Sequence, residues 1–320
     1  MRSFILIDGN SPELFPEFFY HDQHQFYLSD GHSFPISKYA LLRQRVIESG
    51  LLPEEQLSPG PSASDSQLAL AHTPEYITKV DQGGLTEREN RRTGFPWSPE
   101  LAMRSRRSVG STIAACRSAL RFGFSANLGG GTHHAHADFG QGYCVYNDVA
   151  VAALLMQLEG LAKEILICDC DVHQGNGTAS ILQNNPSVYT FSIHGDKNFP
   201  FSKSQSTLDV GLKDGTRDAE YLDALDGALE YISARFTPDL VIYLAGADPF
   251  YQDRLGRLAL TKQGLLQRDQ MIFSTFLSHG IPVAVTMSGG YANQVADIVD
   301  IHFGTLQTGL EIWRRVQASG

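Results

Sequence analysis

From about Glu164 onward the chain alternates short apolar runs with longer amphipathic stretches, and few patterns restrict a fold more tightly. Short, almost wholly apolar runs bounded by polar turns read as strands buried on both faces, which requires a parallel sheet covered by helices. The runs fall at residues 165–168, 188–193, 240–244 and 282–286. Between them, 220–235 carries Tyr221, Leu222, Leu225, Leu229 and Ile232 at helical spacing, and 261–279 carries Leu265, Leu266, Ile272, Phe273, Phe276 and Leu277 in the same way. Each such helix returns the chain to begin a parallel neighbour. Further helices are expected at 38–48, 105–120, 148–158 and 293–313. The fold class is therefore α/β, an open parallel β-sheet flanked by helices. In such sheets ligands bind beyond the carboxyl ends of the strands, so the polar residues after each apolar run are where chemistry belongs.

No period repeats, which argues against a solenoid. Two stretches read as irregular: 58–66, rich in Pro, Ser and Gly, and 82–99, polar and punctuated by Gly83, Gly84, Gly94, Pro96 and Pro99. Neither separates two convincing cores, so a single domain over residues 1–320 is expected. The opening MRSFILIDGNSPELF lacks the apolar core of a secretory leader, and apolar runs elsewhere fall short of the ~20 residues of a membrane helix. Four cysteines, Cys116, Cys144, Cys168 and Cys170, show no framework spacing, which suggests a reducing compartment and a cytoplasmic protein. With 25 basic and 35 acidic residues the net charge is −10, which disfavours a broad nucleic-acid or anionic-membrane surface. Arg104, Arg106 and Arg107 form a local basic run whose ordinary reading is a solvated helix face.

After the run at 165–168 comes CDCDVHQGNG, in which Asp169, Asp171 and His173 sit at i, i+2, i+4 and share a face if the strand continues. A carboxylate and an imidazole from this run, joined by Asp248 after the strand in LVIYLAGAD, make a three-ligand set that leaves positions for water and substrate. Gly246 lets backbone approach that site closely. Helix capping would explain any one of these residues taken singly. The segment NLGGGTHHAHADFGQGYCVYND holds Gly129, Gly130 and Gly131 before His133 and His134. Adjacent imidazoles suit acid–base work, one neutral as base and the other held protonated by a carboxylate such as Asp169. His136 reads as structural. In MSGGYAN, Gly289 and Gly290 form a close-approach turn that aims Tyr291, a phenol able to donate to a developing oxyanion. Cys168 and Cys170 flank Asp169 on the opposite face and read as core thiols.

Taken together, GGGTHHAHADFGQGYCVYND, DCDVHQGNGTA, YLAGADPFYQDRLGRLALT and SGGY resemble the zinc-dependent histone deacetylase superfamily, with DVHQGNG and DRLGRLALT most like its class IV branch and bacterial members. HSFPISKYALLRQRV is similar to the family's opening segment, and the likeness runs from about Phe19 to the C-terminus. The resemblance implies the arginase/deacetylase fold, with a narrow tunnel that admits an acyl-lysine-like side chain. It implies zinc on Asp171, His173 and Asp248, the histidine pair at His133 and His134, and a transition-state tyrosine at Tyr291. Gly142 and Tyr143 match the tunnel wall. Asp169 matches the partner of His133 and, with Ser192 and the Ile193 carbonyl, a structural potassium site. One departure stands out: Asn176 occupies the place where many members carry a second aspartate. An amide accepts the His134 N–H without supplying charge, so His134 is expected to stay neutral and ready as a base.

The expected reaction is zinc-dependent hydrolysis of an acyl-lysine or related N-acyl amine. An acetylpolyamine or other small amide as substrate remains an alternative, with an acidic rim expected for a polyamine, and a non-catalytic acyl-lysine or metabolite binder is a third reading. Two-metal arginase chemistry is disfavoured because Gly175 follows DVHQ and Pro249 and Phe250 follow Asp248, where further carboxylates would be needed. Substrate identity and oligomeric state are not encoded in these motifs.

Overall fold

A computed structural model describes residues 15–23, 26–29 and 31–319. The N-terminal stretch whose composition argues against a secretory leader falls almost wholly outside them. Among the described residues, eight strands form one sheet in the order β2-β1-β3-β8-β7-β4-β5-β6, with every pairing parallel. They are β1 (Phe18–Tyr20), β2 (Leu57–Pro59), β3 (Phe124–Asn127), β4 (Ile165–Asp169), β5 (Val188–Gly195), β6 (Leu208–Leu212), β7 (Leu240–Leu244) and β8 (Val283–Thr286). The four anticipated strands are present. β1, β2, β3 and β6 are additional, and they are three to five residues long or lie at the sheet edge, where apolar runs are too short to register.

Side chains alternate across the central strands and feed two cores. Leu166, Cys168, Val241, Tyr243, Val283 and Val285 face one side, under α1 (Ser37–Ser49), α8 (Asp218–Ser233), α9 (Lys262–Leu277) and α10 (Val295–Ser319). Ile165, Ile167, Leu240, Ile242, Leu244 and Ala284 face the other, under α3 (Pro74–Gln82), α5 (Pro99–Phe122) and α6 (Asp148–Leu158). Burial on both faces is why these strands read as unbroken apolar runs. The result is the helix–sheet–helix architecture that the alternation predicts. All four cysteines are buried and unpaired, and Cys168 and Cys170 lie in the first core. No helix among the described residues is long and apolar enough to cross a membrane.

Three expectations are corrected. The stretch 82–99 is not irregular throughout, because it contains α4 (Glu87–Thr93). Its sequence ERENRRT has no apolar stripe for periodicity to detect; a capping box between Thr86 and Glu89 starts it and a left-handed Gly94 ends it. The stretch 58–66 likewise contributes to β2 and, through the Ser64 capping box, to the short α2 (Asp65–Leu68). The basic run on α5 is not a solvated face either. Arg104 is buried, Arg106 reaches Ala63 O at 3.0 Å and pairs with Asp65 and Asp81, and Arg107 donates to Gly60 O at 3.0 Å. Arg106 and Arg107 tie the coil before α2 down onto α5, a task for long side chains that carry several donors.

Candidate functional site

Four adjacent strands, β3, β8, β7 and β4, run parallel, so the loops at their carboxyl ends meet along one edge of the sheet. Those loops carry GGGTHH, SGGY, GAD and DCDVH. Recognising β3 is what brings the histidine pair to the other residues, and the sequence offers only FSAN to mark it. β4 ends at Asp169, so Asp171 and His173 are not on a continuing strand as the i, i+2, i+4 argument assumed. The alternation nevertheless persists beyond the last ladder pair. Cys170 and Val172 stay in the core with Leu166 and Cys168, while Cys170 N bonds Leu244 O at 3.1 Å and Gly195 N bonds Val172 O at 3.0 Å. These bonds hold the segment extended, and Asp169, Asp171 and His173 all turn to the site.

Asp171, His173 and Asp248 are buried, with one ligand atom from each lying within 4.8 Å of the others. His173 Nδ1 is 3.0 Å from Asp171 Oδ1 and 3.3 Å from Asp248 Oδ2. Two atoms bound at about 2.0–2.1 Å to a tetrahedral ion lie about 3.3 Å apart, so the spacing suits such an ion. The remaining carboxylate oxygens are occupied: Asp171 Oδ2 accepts from Ser288 Oγ and Gly289 N, each at 2.7 Å, and Asp248 Oδ1 accepts from Val172 N at 2.9 Å. Asp248 Oδ2 is buried and makes no hydrogen bond, with His173 Nδ1 as an ion-pair neighbour at 3.3 Å. Two buried carboxylates sharing one imidazole, with one oxygen left without a hydrogen bond, are costly unless a further cation completes the set, so the donors fit a divalent metal. Among the described residues this is the one such cluster of three.

The close approach depends on glycine. A Cβ at Gly289 would sit 1.9 Å from Asp248 Oδ2, and one at Gly246 would sit 2.8 Å from Asp171 Cα. Behind the cluster, the fully buried Arg268 pairs with Asp269 and donates to Gly246 O at 2.6 Å, fixing the turn that leads to Asp248. On the β3 loop, Gly130 and Gly131 take φ of 73°. The Asp148 carboxylate, at the start of α6, accepts from Gly131 N at 2.9 Å and Thr132 N at 2.7 Å and so sets the path into the histidine pair.

His133 Nδ1 is 2.6 Å from Asp169 Oδ2, and His134 Nδ1 is 2.8 Å from Asn176 Oδ1, at the start of α7 (Asn176–Leu182). The two rings lie 4.1 Å apart yet titrate in opposite directions. Burial opposes the His133 imidazolium, but Asp169 and Asp171 together outweigh it and raise its pKa to about 9. Burial, reinforced by the charges on His133 and His173, pushes His134 well below the usual histidine value. His134 is thus the neutral member, as expected, with burial and the neighbouring imidazoles as the main causes. His136, read as structural, lies 3.0 Å from Asn176 Nδ2 and orients the amide that holds His134. For His173, burial is outweighed by Asp171 and Asp248, and its pKa rises to about 10 in the metal-free site; burial and Asp171 raise Asp248 to about 7.

Tyr291 is buried, with its ring 6.3 Å from that of His173; its backbone is clamped by Asp253 Oδ2 at 2.6 Å and Arg254 Nε at 2.8 Å. Burial, then Asp171 and Asp248, raises the phenol pKa well above its ordinary value, so it stays protonated. Gly142 packs so tightly that a Cβ would lie 2.6 Å from His134 Cδ2. Tyr143, at φ 64°, stands opposite Tyr291 with centroids 5.8 Å apart, and its N–H bonds Thr93 O at the end of α4. Phe199 meets His134 edge to face at 4.9 Å and completes the wall. Neither Phe199 nor Ser288 was singled out by motif; Ser288 adjoins SGGY, whereas NFPF carries no chemical signal. Ser192 pairs in register with Asp169 across β4 and β5, and its hydroxyl lies 2.9 Å from His194 Nδ1.

Comparison with known proteins agrees with this geometry. An uncharacterised protein of Picosynechococcus sp. is 43% identical over 283 residues, covering 88% of this chain and 94% of its own length. Histone deacetylase 2 of Arabidopsis thaliana is 30% identical over 277 residues, covering 84% of this chain and 72% of its own. The crystal structure of an HDAC homolog from Aquifex aeolicus, 22% identical, superposes with a TM-score of 0.76 over 94% of this chain and 84% of that one, and so shares its fold. Residues 32–306 match the histone deacetylase domain, and the chain belongs to the histone deacetylase family.

Proposed function

We propose that the chain is a zinc-dependent deacylase that hydrolyses the amide of an acyl-lysine or related N-acyl amine. The observation that carries this reading is the buried Asp171, His173 and Asp248 set, with one carboxylate oxygen left without a hydrogen bond, placed beside two imidazoles of opposite protonation preference. Bound by those three residues, zinc supplies Lewis-acid polarisation of an acyl oxygen and of a water. His134, neutral and held at Nδ1 by Asn176, presents Nε2 to take the proton of the attacking water and then return it to the leaving amine. His133, kept cationic by Asp169, stabilises the negative charge that develops beside it. The protonated Tyr291 hydroxyl donates to the acyl oxygen as it becomes an oxyanion. Tyr143 and Phe199 flank the aliphatic stem of the substrate and exclude water from the path.

A structural potassium ion at Asp169, Ser192 and the Ile193 carbonyl belongs to the same proposal, supported by the β4–β5 register that aligns Asp169 with Ser192. So does a single catalytic domain, supported by one sheet that spans Phe18 to Thr286. Zinc-reconstituted protein assayed on an acetyl-lysine peptide tests the reading. Loss of a single oxyanion donor costs about 10²–10³ in rate, so Tyr291→Phe should lower kcat by that factor with zinc content unchanged. Equal turnover by the variant would remove Tyr291 from the mechanism, and an inert zinc-loaded wild type would remove the mechanism altogether.

A further inference from the structure

The tunnel mouth opens into a vestibule of about 490 Å³ whose charge is opposite in sign to that of the whole molecule. Arg91, Arg92, Lys197, Arg254 and Arg257 line it, and no Asp or Glu does. Two of these cations are neutralised, Arg91 by Glu87 and Arg257 by Asp214. The other three have no carboxylate partner among the described residues. Arg254 donates to the carbonyls of Tyr291 and Ser33, both at 2.8 Å, which fixes its place without cancelling its charge. Arg92 lies over the Phe139 ring at 3.9 Å, and Lys197 is exposed. The walls between them are aromatic, with Tyr143 and Phe199 at the throat and Phe201 at the edge, 89% exposed. Low-dielectric walls lined by charge of one sign focus the field on whatever enters.

Resting on the deacylase reading above, we propose that this vestibule selects an N-acyl amine whose non-reacting end carries carboxylates. The charge disfavours cationic amines, including acetylated polyamines, for which an acidic rim was expected. It likewise disfavours acyl-lysines set among other lysines and arginines. The carboxylates can come from Asp or Glu flanking an acyl-lysine in a polypeptide, or from the free carboxylate of a small N-acyl amino acid.

The test uses zinc-loaded protein and three labelled acetyl-lysine peptides of equal length with acidic, neutral or basic flanks, read by fluorescence anisotropy and by kcat/KM. Nα,Nε-diacetyl-lysine and its carboxamide form a small-molecule pair. At low salt the acidic peptide should bind at least about tenfold more tightly than the basic one, within the range that charge-lined clefts impart. The difference should collapse near 1 M salt, where the screening length falls from about 10 Å to about 3 Å. The double variant Arg92→Glu, Lys197→Glu should reverse the order. Discrimination confined to the diacetyl-lysine pair would identify a small substrate, and discrimination among the peptides a polypeptide one. Equal affinities, or preference for the basic peptide, would overturn the proposal even if all are hydrolysed. Hydrolysis of none, with the affinity order intact, would instead overturn the deacylase reading and leave the anion-selective vestibule standing.

Discussion

Gly289→Ala isolates the metal centre from the rest of the fold. The φ of Gly289 lies outside the left-handed region, so alanine meets no backbone penalty there, and the Gly289 N–H that bonds Asp171 is retained. The added methyl would lie 1.9 Å from Asp248 Oδ2 and 2.6 Å from Asp171 Oδ2. Ordinary contact begins at 3.4 Å, so the Asp248 carboxylate must retreat by about 1.5 Å, against the ±0.2 Å tolerance of metal–ligand distances. Changes to groups that merely orient ligands cost 10–100-fold in metal affinity, and displacing a ligand itself should cost at least about 100-fold. Competition against a chromophoric chelator measures that loss, and thermal unfolding in chelator monitors the fold. Gly227→Ala is the control: its site on α8 is open, and replacing a helical glycine gains about 0.5–1 kcal/mol. Wild-type zinc affinity in Gly289→Ala would refute the assignment of Asp171 and Asp248 as the pinned carboxylate ligands.

Two further predictions concern protons. If His134 is the base, its lowered pKa means that, with zinc kept saturating, kcat/KM should hold down to pH values well below 6.5 and fall as His134 becomes protonated. In Asn176→Asp the added carboxylate favours the imidazolium, so the acidic limb should move to higher pH; a limb that does not move would show that His134 is not the titrating base. Metal binding requires neutral His173 and ionised Asp248, whose pKa values in the metal-free site are raised to about 10 and about 7. Between pH 7 and 9 binding must therefore release one proton, and apparent zinc affinity should rise about tenfold per pH unit, steepening below pH 7 as a second proton is displaced. Chelator competition across this range checks it, and a flat profile would contradict the protonation of His173.

Patterns that depend only on neighbouring residues were legible in the sequence. The buried strands β4, β5, β7 and β8 announced themselves as apolar runs because both their faces are covered. The residues of DVH, GAD and SGGY stood out because carboxylate, imidazole and phenol side chains follow apolar strands and close-approach glycines there. Helix α4 was hidden, since a polar helix held by caps and ion pairs has no stripe to detect, yet its carboxyl end carries Tyr143. Strand β3 was hidden by its brevity, and with it the reason His133 and His134 meet Asp169 and Asn176 rather than lie in a surface turn.

The sequence by itself determined the parallel α/β class and the identity of the chemically competent side chains, because periodicity and residue chemistry are local properties. Tertiary structure alone decided which of them converge, because strand order places β3, β8, β7 and β4 side by side and glycine backbones admit the carboxylates between them. It also decided the electrostatics. A net charge of −10 is a sum over the whole chain, whereas a substrate entering the tunnel meets the local field of Arg92, Lys197 and Arg254, because Coulombic interaction falls with distance and solvent screens the remainder.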